Sequence, residues 1–373
     1  MEFPQNGLTD KLMAFTKFNQ IELVGMATAV PQATVAVTAF EGKIEPTELD
    51  RHLNQNGPAF TRKAIEAQTT SDLGYDAAKN LLEAFTIPNE AIGILLFISK
   101  TPDYRSPATA IVLQHRLGLT TSCLAFDCNI GGIGFENGLQ VAGSLLATTS
   151  TSYALVVVGD TTTKQFEENN LNQLVYSDAC SAVLLKKSAQ ASLMQIATYA
   201  NGATFDSLFI EKGGYRGKTL TKGHYQWNAT DLAENNFIFW DKPIFYETIQ
   251  SKIRETLPLF LEKCQVNPAD FDAVLFPTEG HYLEADFFES LGFSKIQVQH
   301  ANTGIGLLAG ATTPFLLEKA AKFTDKKEAR ILSINFGEGL SWAYSDFVIV
   351  GSAVLPTHTT AAFFEDGAVT HEM

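Results

Sequence analysis

An α/β protein with parallel sheets is the fold class this sequence predicts, on three observations. Short apolar runs alternate with helix-patterned segments along most of the chain. The run at 91–100 is apolar almost throughout, as a strand buried on both faces must be. The strand–turn–helix grammar then recurs, which predicts two similar units joined near residue 190. A length of 373 residues is ample for both.

The elements follow in order. "IELVGMATAVPQ" (21–32) reads as a strand ending in a Pro turn. "SDLGYDAAKNLLEAF" (71–85) carries Leu73, Ala77, Leu81 and Leu82 at helical spacing, with Ser71 as the expected N-cap. "AIGILLFISK" (91–100) is a buried strand. "SPATAIVLQHRLGL" (106–119) is a helix expected to start from Ser106 with Pro107 at its first position. "SCLAFDCN" (122–129), "YALVVVGD" (153–160) and "CSAVLLKK" (180–187) are strands. In the second half, 245–264 reads as a helix, 271–277 as a strand, 282–292 as a helix and 296–299 as a strand. A Gly-rich helix start is expected over 303–322, then a strand pair with a Gly-rich turn over 330–350. The predicted division is 1–190, 191–350 and a C-terminal extension, 351–373.

Composition excludes several function classes. Apolar residues make up 45% and charged residues 18%, a globular balance and not a disordered one. The net charge of -14 argues against a nucleic-acid or anionic-membrane footprint. No apolar run approaches a membrane span and no secretory signal pattern is present, so the expected location is cytoplasmic. The four cysteines, Cys123, Cys128, Cys180 and Cys264, form no C-x-x-C pair; they read as free thiols of a reducing compartment, and no metal site is expected.

The chemistry concentrates at "AFDCNIGGIGFENGLQVAGSLL" (125–146). A strand turning through glycines into a helix presents one residue at the helix N-terminus, where backbone N–H groups and the helix dipole stabilise negative charge. A cysteine there becomes a thiolate nucleophile. With its companions, this stretch resembles the β-ketoacyl-acyl carrier protein synthase III (KAS III) group of the thiolase superfamily. "TPDYRSPATAIVLQHRLGL" (101–119), "AFDCNIGGIGF" (125–135), "YSDACSAVLL" (176–185), "HANTGIG" (300–306) and "NFGEGLSWAYSDFVI" (335–349) are similar, in order, to the group's motifs, the last to its F-G-G-G-x-x-W-G strand pair. The resemblance spans roughly residues 19 to 350. It implies a thiolase fold: two similar α/β halves in a five-layered α-β-α-β-α core.

The resemblance also implies a Cys, His and Asn triad, with an oxyanion hole of backbone N–H groups. Registering Asp127, Gly134 and Phe135 on the group's elbow places Gly132 at the Cys position. Cys128 falls four residues earlier, on the incoming strand. Registering Pro277 places Thr278 at the His position and leaves His281 as an alternative base. Asn302 keeps the Asn. Gly132 and Gly339 belong to the elbow and its facing turn. Glycine offers no nucleophile and threonine no general base at neutral pH. The group's coenzyme A contacts before the first long helix, a Trp and an Arg, are absent; Arg62 or Lys63 is the candidate replacement.

These departures point to a KAS III-like chain that has lost its own condensing activity. The expectation is a non-catalytic subunit of a heteromeric β-ketoacyl synthase or acyltransferase, in fatty-acid-like or polyketide-like biosynthesis, beside a competent paralogue. The alternatives are an active acyltransferase using Cys128 or His281, and a homodimeric binder of acyl groups or acyl carrier protein. No cofactor is required; coenzyme A or the phosphopantetheine of an acyl carrier protein is the expected ligand class.

Overall fold

The computed structural model describes residues 14–47, 49–50, 58–166, 170–190, 192–210, 238–277, 285–300, 305–323 and 327–365. In chain order the strands are β1 (Ala14–Phe18), β2 (Ile21–Pro31), β3 (Thr34–Ala36), β4 (Phe60–Arg62), β5 (Ile92–Ile98), β6 (Leu124–Cys128), β7 (Tyr153–Asp160), β8 (Ala179–Lys187), β9 (Met194–Ala200), β10 (Leu208–Ile210), β11 (Ile238–Trp240), β12 (Ala273–Phe276), β13 (Val298–His300), β14 (Glu328–Gly337), β15 (Ser341–Val350) and β16 (His358–Thr360). The α-helices are α1 (Thr70–Ala84), α2 (Thr109–Arg116), α3 (Gly134–Thr148), α4 (Lys242–Cys264), α5 (Ala285–Glu289) and α6 (Thr312–Phe323).

Among the described residues, the principal sheets have six strands each. One runs β16-β2-β8-β7-β5-β6, the other β1-β9-β15-β14-β12-β13. In each, a parallel set at one edge (β7-β5-β6; β14-β12-β13) continues into antiparallel strands. The sequence predicts parallel sheets; both sheets are instead mixed, because β2, β8 and β7 in one and β1, β9, β15 and β14 in the other pair antiparallel with one another.

Side-chain alternation explains the layering. In β5, Ile94, Leu96 and Ile98 point into a central core with Phe135, Leu139 and Leu146 of α3 and Leu316 and Leu317 of α6. Leu95 and Phe97 point the other way, onto Leu73, Ala77 and Leu81 of α1 and Leu113 of α2. On the far sheet, Leu332, Ile334 and Phe336 of β14 pack beneath Phe245, Ile249, Ile253 and Phe260 of α4 and Phe288 of α5. The order is therefore helices, sheet, helices, sheet, helices: the expected five layers.

The differences from the sequence expectation are local. Helix α1 is capped by Thr69, not Ser71: Thr69 and Asp72 form a reciprocal capping box. Helix α2 starts at Thr109 and not beside Pro107, because the Asp127 carboxylate accepts the Thr109 and Ala110 N–H groups, both at 2.7 Å. That half-buried carboxylate at an N-terminus does the work expected of a serine cap. The Gly-rich approach to α6 holds a 3₁₀ turn at Ala309–Ala311, and α6 itself begins at Thr312.

Two strands change sheets relative to the sequence order. β1 precedes the whole N-terminal half yet pairs antiparallel with β9 of the far sheet. β16, in the C-terminal extension, pairs parallel with β2. The extension is thus an edge strand of the first sheet. Gln68 Nε2 donates to Thr360 O at 3.3 Å and to Ala362 O at 2.9 Å, and Phe364 N donates to Asp72 Oδ1 at 3.1 Å.

Candidate active site

The parallel strands β7, β5 and β6 end on one side of their sheet, and the end of β14 reaches them from the other. The carboxyl ends of parallel strands are where open α/β sheets bind ligands. After β6 the chain turns through Gly131, Gly132 and Ile133 into α3, whose Phe135, Leu139, Ala142 and Leu146 recur on its buried face. The elbow expected from the sequence is present.

Its key position is closed. A Cβ added at Gly132 would lie 2.0 Å from Phe336 O and 2.8 Å from Gly337 Cα. One added at Gly337 would lie 2.8 Å from Gly132 N and 2.9 Å from its Cα. The obstacles are main-chain atoms on both sides, so no rotamer change relieves them. Two glycines meet because the end of β14 lies where a side chain on the elbow would start.

A carboxylate stands at the same place. The turn Glu338–Leu340 joins β14 to β15, with Gly339 in the left-handed region at φ 104°. Glu338 Oε2 accepts the Gly132 N–H at 3.4 Å, and Oε1 accepts from Lys100 Nζ. Lys100 follows β5. Its backbone N–H donates to Asp160 Oδ1 at 2.8 Å, and its ammonium lies 5.6 Å from the Tyr176 ring centroid. The Lys100 side chain is 10% exposed and that of Glu338 29%. Burial pulls the Glu338 carboxyl upward, but the Lys100 charge together with the hydrogen bonds from Lys100 and the backbone outweighs it, and the net shift is down. Burial pulls the Lys100 ammonium down, but Glu338 and Asp160 override that and the net shift is up. The pair is held charged. Asp160, at the end of β7, is pushed up to about 6 by burial, against the lowering effect of Lys100.

Outside the elbow lies a cavity of about 1180 Å³. Its wall mixes Lys100, Arg105 and Lys164 with Ile130, Tyr199 and Phe209. Inside the elbow, between Gly132, Tyr176, Trp240 and Phe336, the space is about 40 Å³, room for a few waters.

Comparison with known proteins follows the same lines. The sequence profile of the 3-oxoacyl-[acyl-carrier-protein] synthase III family matches residues 126–202, which include the elbow and α3. A putative 3-oxoacyl-[acyl-carrier-protein] synthase 3 of Campylobacter jejuni is 25% identical over 357 residues, covering 91% of this chain and 95% of its own. A β-ketoacyl-[acyl-carrier-protein] synthase III of Caldanaerobacter subterraneus is 28% identical over 333 residues, 87% of this chain and 96% of its own. The crystal structure of a 3-oxoacyl-(acyl-carrier protein) synthase from Burkholderia xenovorans superposes with a TM-score of 0.83 at 22% identity, over 93% of this chain and 99% of its own. The chain is similar in sequence to KAS III proteins and shares their fold.

Within this KAS III-like frame the sequence-derived residues fall in different places. Gly132 and Gly339 come together at the elbow. Cys128 is the last residue of β6, half-buried against the central core; burial, then the neighbouring Asp127 charge, push its thiol up, away from the thiolate. Arg62 donates to Pro31 O at 3.4 Å and Gln32 O at 3.1 Å, and Lys63 Nζ to Gln173 Oε1 at 3.3 Å. Thr278, His281 and Asn302 lie outside the described residues. Among the described residues no cluster of His, Cys, Asp and Glu could hold a metal, and no helix is long and apolar enough to cross a membrane. Sequence reasoning missed Lys100 and Glu338. The signal for Glu338 was available: it stands at the middle glycine of the group's F-G-G-G run.

Proposed function

We propose that the chain is a non-catalytic KAS III-like subunit of a heteromeric β-ketoacyl synthase or acyltransferase, acting in fatty-acid-like or polyketide-like biosynthesis beside a Cys-bearing paralogue. The observation that carries this reading is the closed elbow. The position where the family resemblance puts a nucleophile holds Gly132, main-chain atoms fill the space a side chain would need, and Glu338 accepts its N–H. A developing oxyanion would find that donor already engaged.

The rest of the site agrees. Cys128 is no substitute nucleophile, since its surroundings disfavour the thiolate. The outer cavity keeps the size and mixed lining that suit a phosphopantetheine arm, with three basic side chains for a phosphate and apolar surface for the chain. A partner has a place to dock along β6: it is the outer strand of its sheet, and Leu124 at its start and Ile111 of α2 are 45% and 51% exposed.

The test is to tag the native chain, purify it from its own cells at natural abundance and weigh the complex. The reading expects a hetero-oligomer with a KAS III-like chain that carries the elbow cysteine, and loss of that chain on Leu124→Lys. A homodimer alone, with no such partner bound, refutes it and favours a homodimeric binder of acyl groups or acyl carrier protein.

A further inference from the structure

We propose that the elbow is a small-carboxylate site that the chain fills with its own Glu338, with Lys100 as the counter-ion. The inference stands without the partner reading, since it concerns one side chain and what its removal uncovers.

Two departures from the family motifs meet here. Where the resemblance puts a side chain, at the elbow, this chain has Gly132. Where it puts a glycine, in the facing turn, this chain has Glu338. The second compensates the first in space: the Glu338 carboxylate reaches across and lies against the elbow, so close that a Cβ on Gly131 would stand 2.5 Å from its Oε2. Its contacts are those of a bound anion. One oxygen takes the Gly132 N–H, at the positive end of α3. The other takes the Lys100 ammonium.

Lys100 is built to hold an anion. Its side chain is nine-tenths buried, it is anchored through its backbone to Asp160, and its ammonium faces the Tyr176 ring. Asp160 contributes negative charge to the same locality, but one of its oxygens is committed to Ser99, Lys100 N and Thr101 and the other has no hydrogen-bond partner among the described residues. Glu338 is therefore the group that pairs with the ammonium directly. Removing one member of a largely buried pair leaves the other uncompensated, a state that draws in a substitute. The place Glu338 vacates is the size of its own carboxylate arm and is approached from the outer cavity, which Lys100 and Glu338 also line, so a small carboxylate such as acetate fits it. In the native protein a ligand carboxylate reaches Lys100 only by displacing Glu338, so the occupied elbow favours ligands that present an uncharged end.

The test is acetate titration followed by thermal unfolding, at ionic strength matched with chloride. The native protein shows no acetate-specific shift. Glu338→Ala shows a saturable rise in Tm of roughly 2 °C or more, and the double variant with Lys100→Met shows none. Glu338→Gly, which empties the same place and restores the glycine the resemblance puts there, serves if the alanine variant does not fold, and gains the same acetate response. Saturable acetate binding by the native protein that Lys100→Met removes overturns the proposal, as does the absence of any acetate response in both Glu338 variants.

Discussion

Gly132 decides the chemistry at the scale of a single residue. A missing nucleophile in a motif can be a simple deletion, restorable by putting the side chain back. Here it is not, because the main chain at Phe336 and Gly337 occupies the space. Gly132→Cys is expected to destabilise the fold by about 3 kcal/mol or more, since the overlap is with backbone on two sides, and to gain no acyl transfer. Denaturant unfolding with the midpoint compared at constant slope reads the first, and an acyl-coenzyme A assay the second. Full stability together with a reactive thiol in that variant would show that the closure at the elbow opens freely.

At the scale of elements, α3 is tied to β14 by a buried carboxyl. Glu136, in the first turn of α3, accepts from Ser333 and, at 2.7 Å, from Asn335 Nδ2. Burial pushes its carboxyl up from 4.5 to about 7, against those hydrogen bonds. A folded pKa above the unfolded one means the folded state binds the proton more tightly, so the contribution is full below the unfolded value and is lost as pH rises through about 7. Asp160 and Asp178, both raised to about 6, act with the same sign. Stability is expected to fall between about pH 4 and about pH 7, with up to about 3 kcal/mol from Glu136. Glu136→Gln removes that part of the slope; an unchanged pH profile in the variant would contradict the account. The sequence could not show this link. A Glu in a helix's first turn reads as an ordinary dipole partner, and its burial depends on Ser333 and Asn335 arriving from a strand some two hundred residues away. The same limit explains the caps. Ser71 and Ser106 satisfy a local rule, but Thr69 wins by pairing with Asp72, and Asp127 wins from another strand. The long apolar runs were legible because β5 and β7 are buried on both faces, and that depends only on their own residues.

Across the whole molecule, the two sheets are interlocked by their ends. β1 crosses to the far sheet and β16 returns to the near one. Neither was legible: each is short, and its apolar content is too low for a period to stand out. The C-terminal extension continues past β16 to set Phe364 against the Tyr75 ring, centroids 4.9 Å apart, and 4.3 Å from Arg116 Cζ. Arg116 in turn reaches Ser71 at 2.6 Å and Asp72 at 3.5 Å. Phe364→Ala is expected to cost about 1–2 kcal/mol, the worth of an edge-on aromatic contact and a cation–π contact on a partly exposed ring. Chemical denaturation measures it; a change near zero would make the extension an ornament and not a clasp. At the candidate site, the fold and the elbow were legible from motif order. The closure was not, because it needs Gly337 and Glu338 to arrive at Gly132 from the other half of the chain.

The closed elbow is tested most directly by the intact mass of the native protein after incubation with acetyl-coenzyme A. An unchanged mass is the expected result, with Gly132 offering no nucleophile and Cys128 held as a thiol. A covalent acetyl group on the protein, released by hydroxylamine, would contradict it.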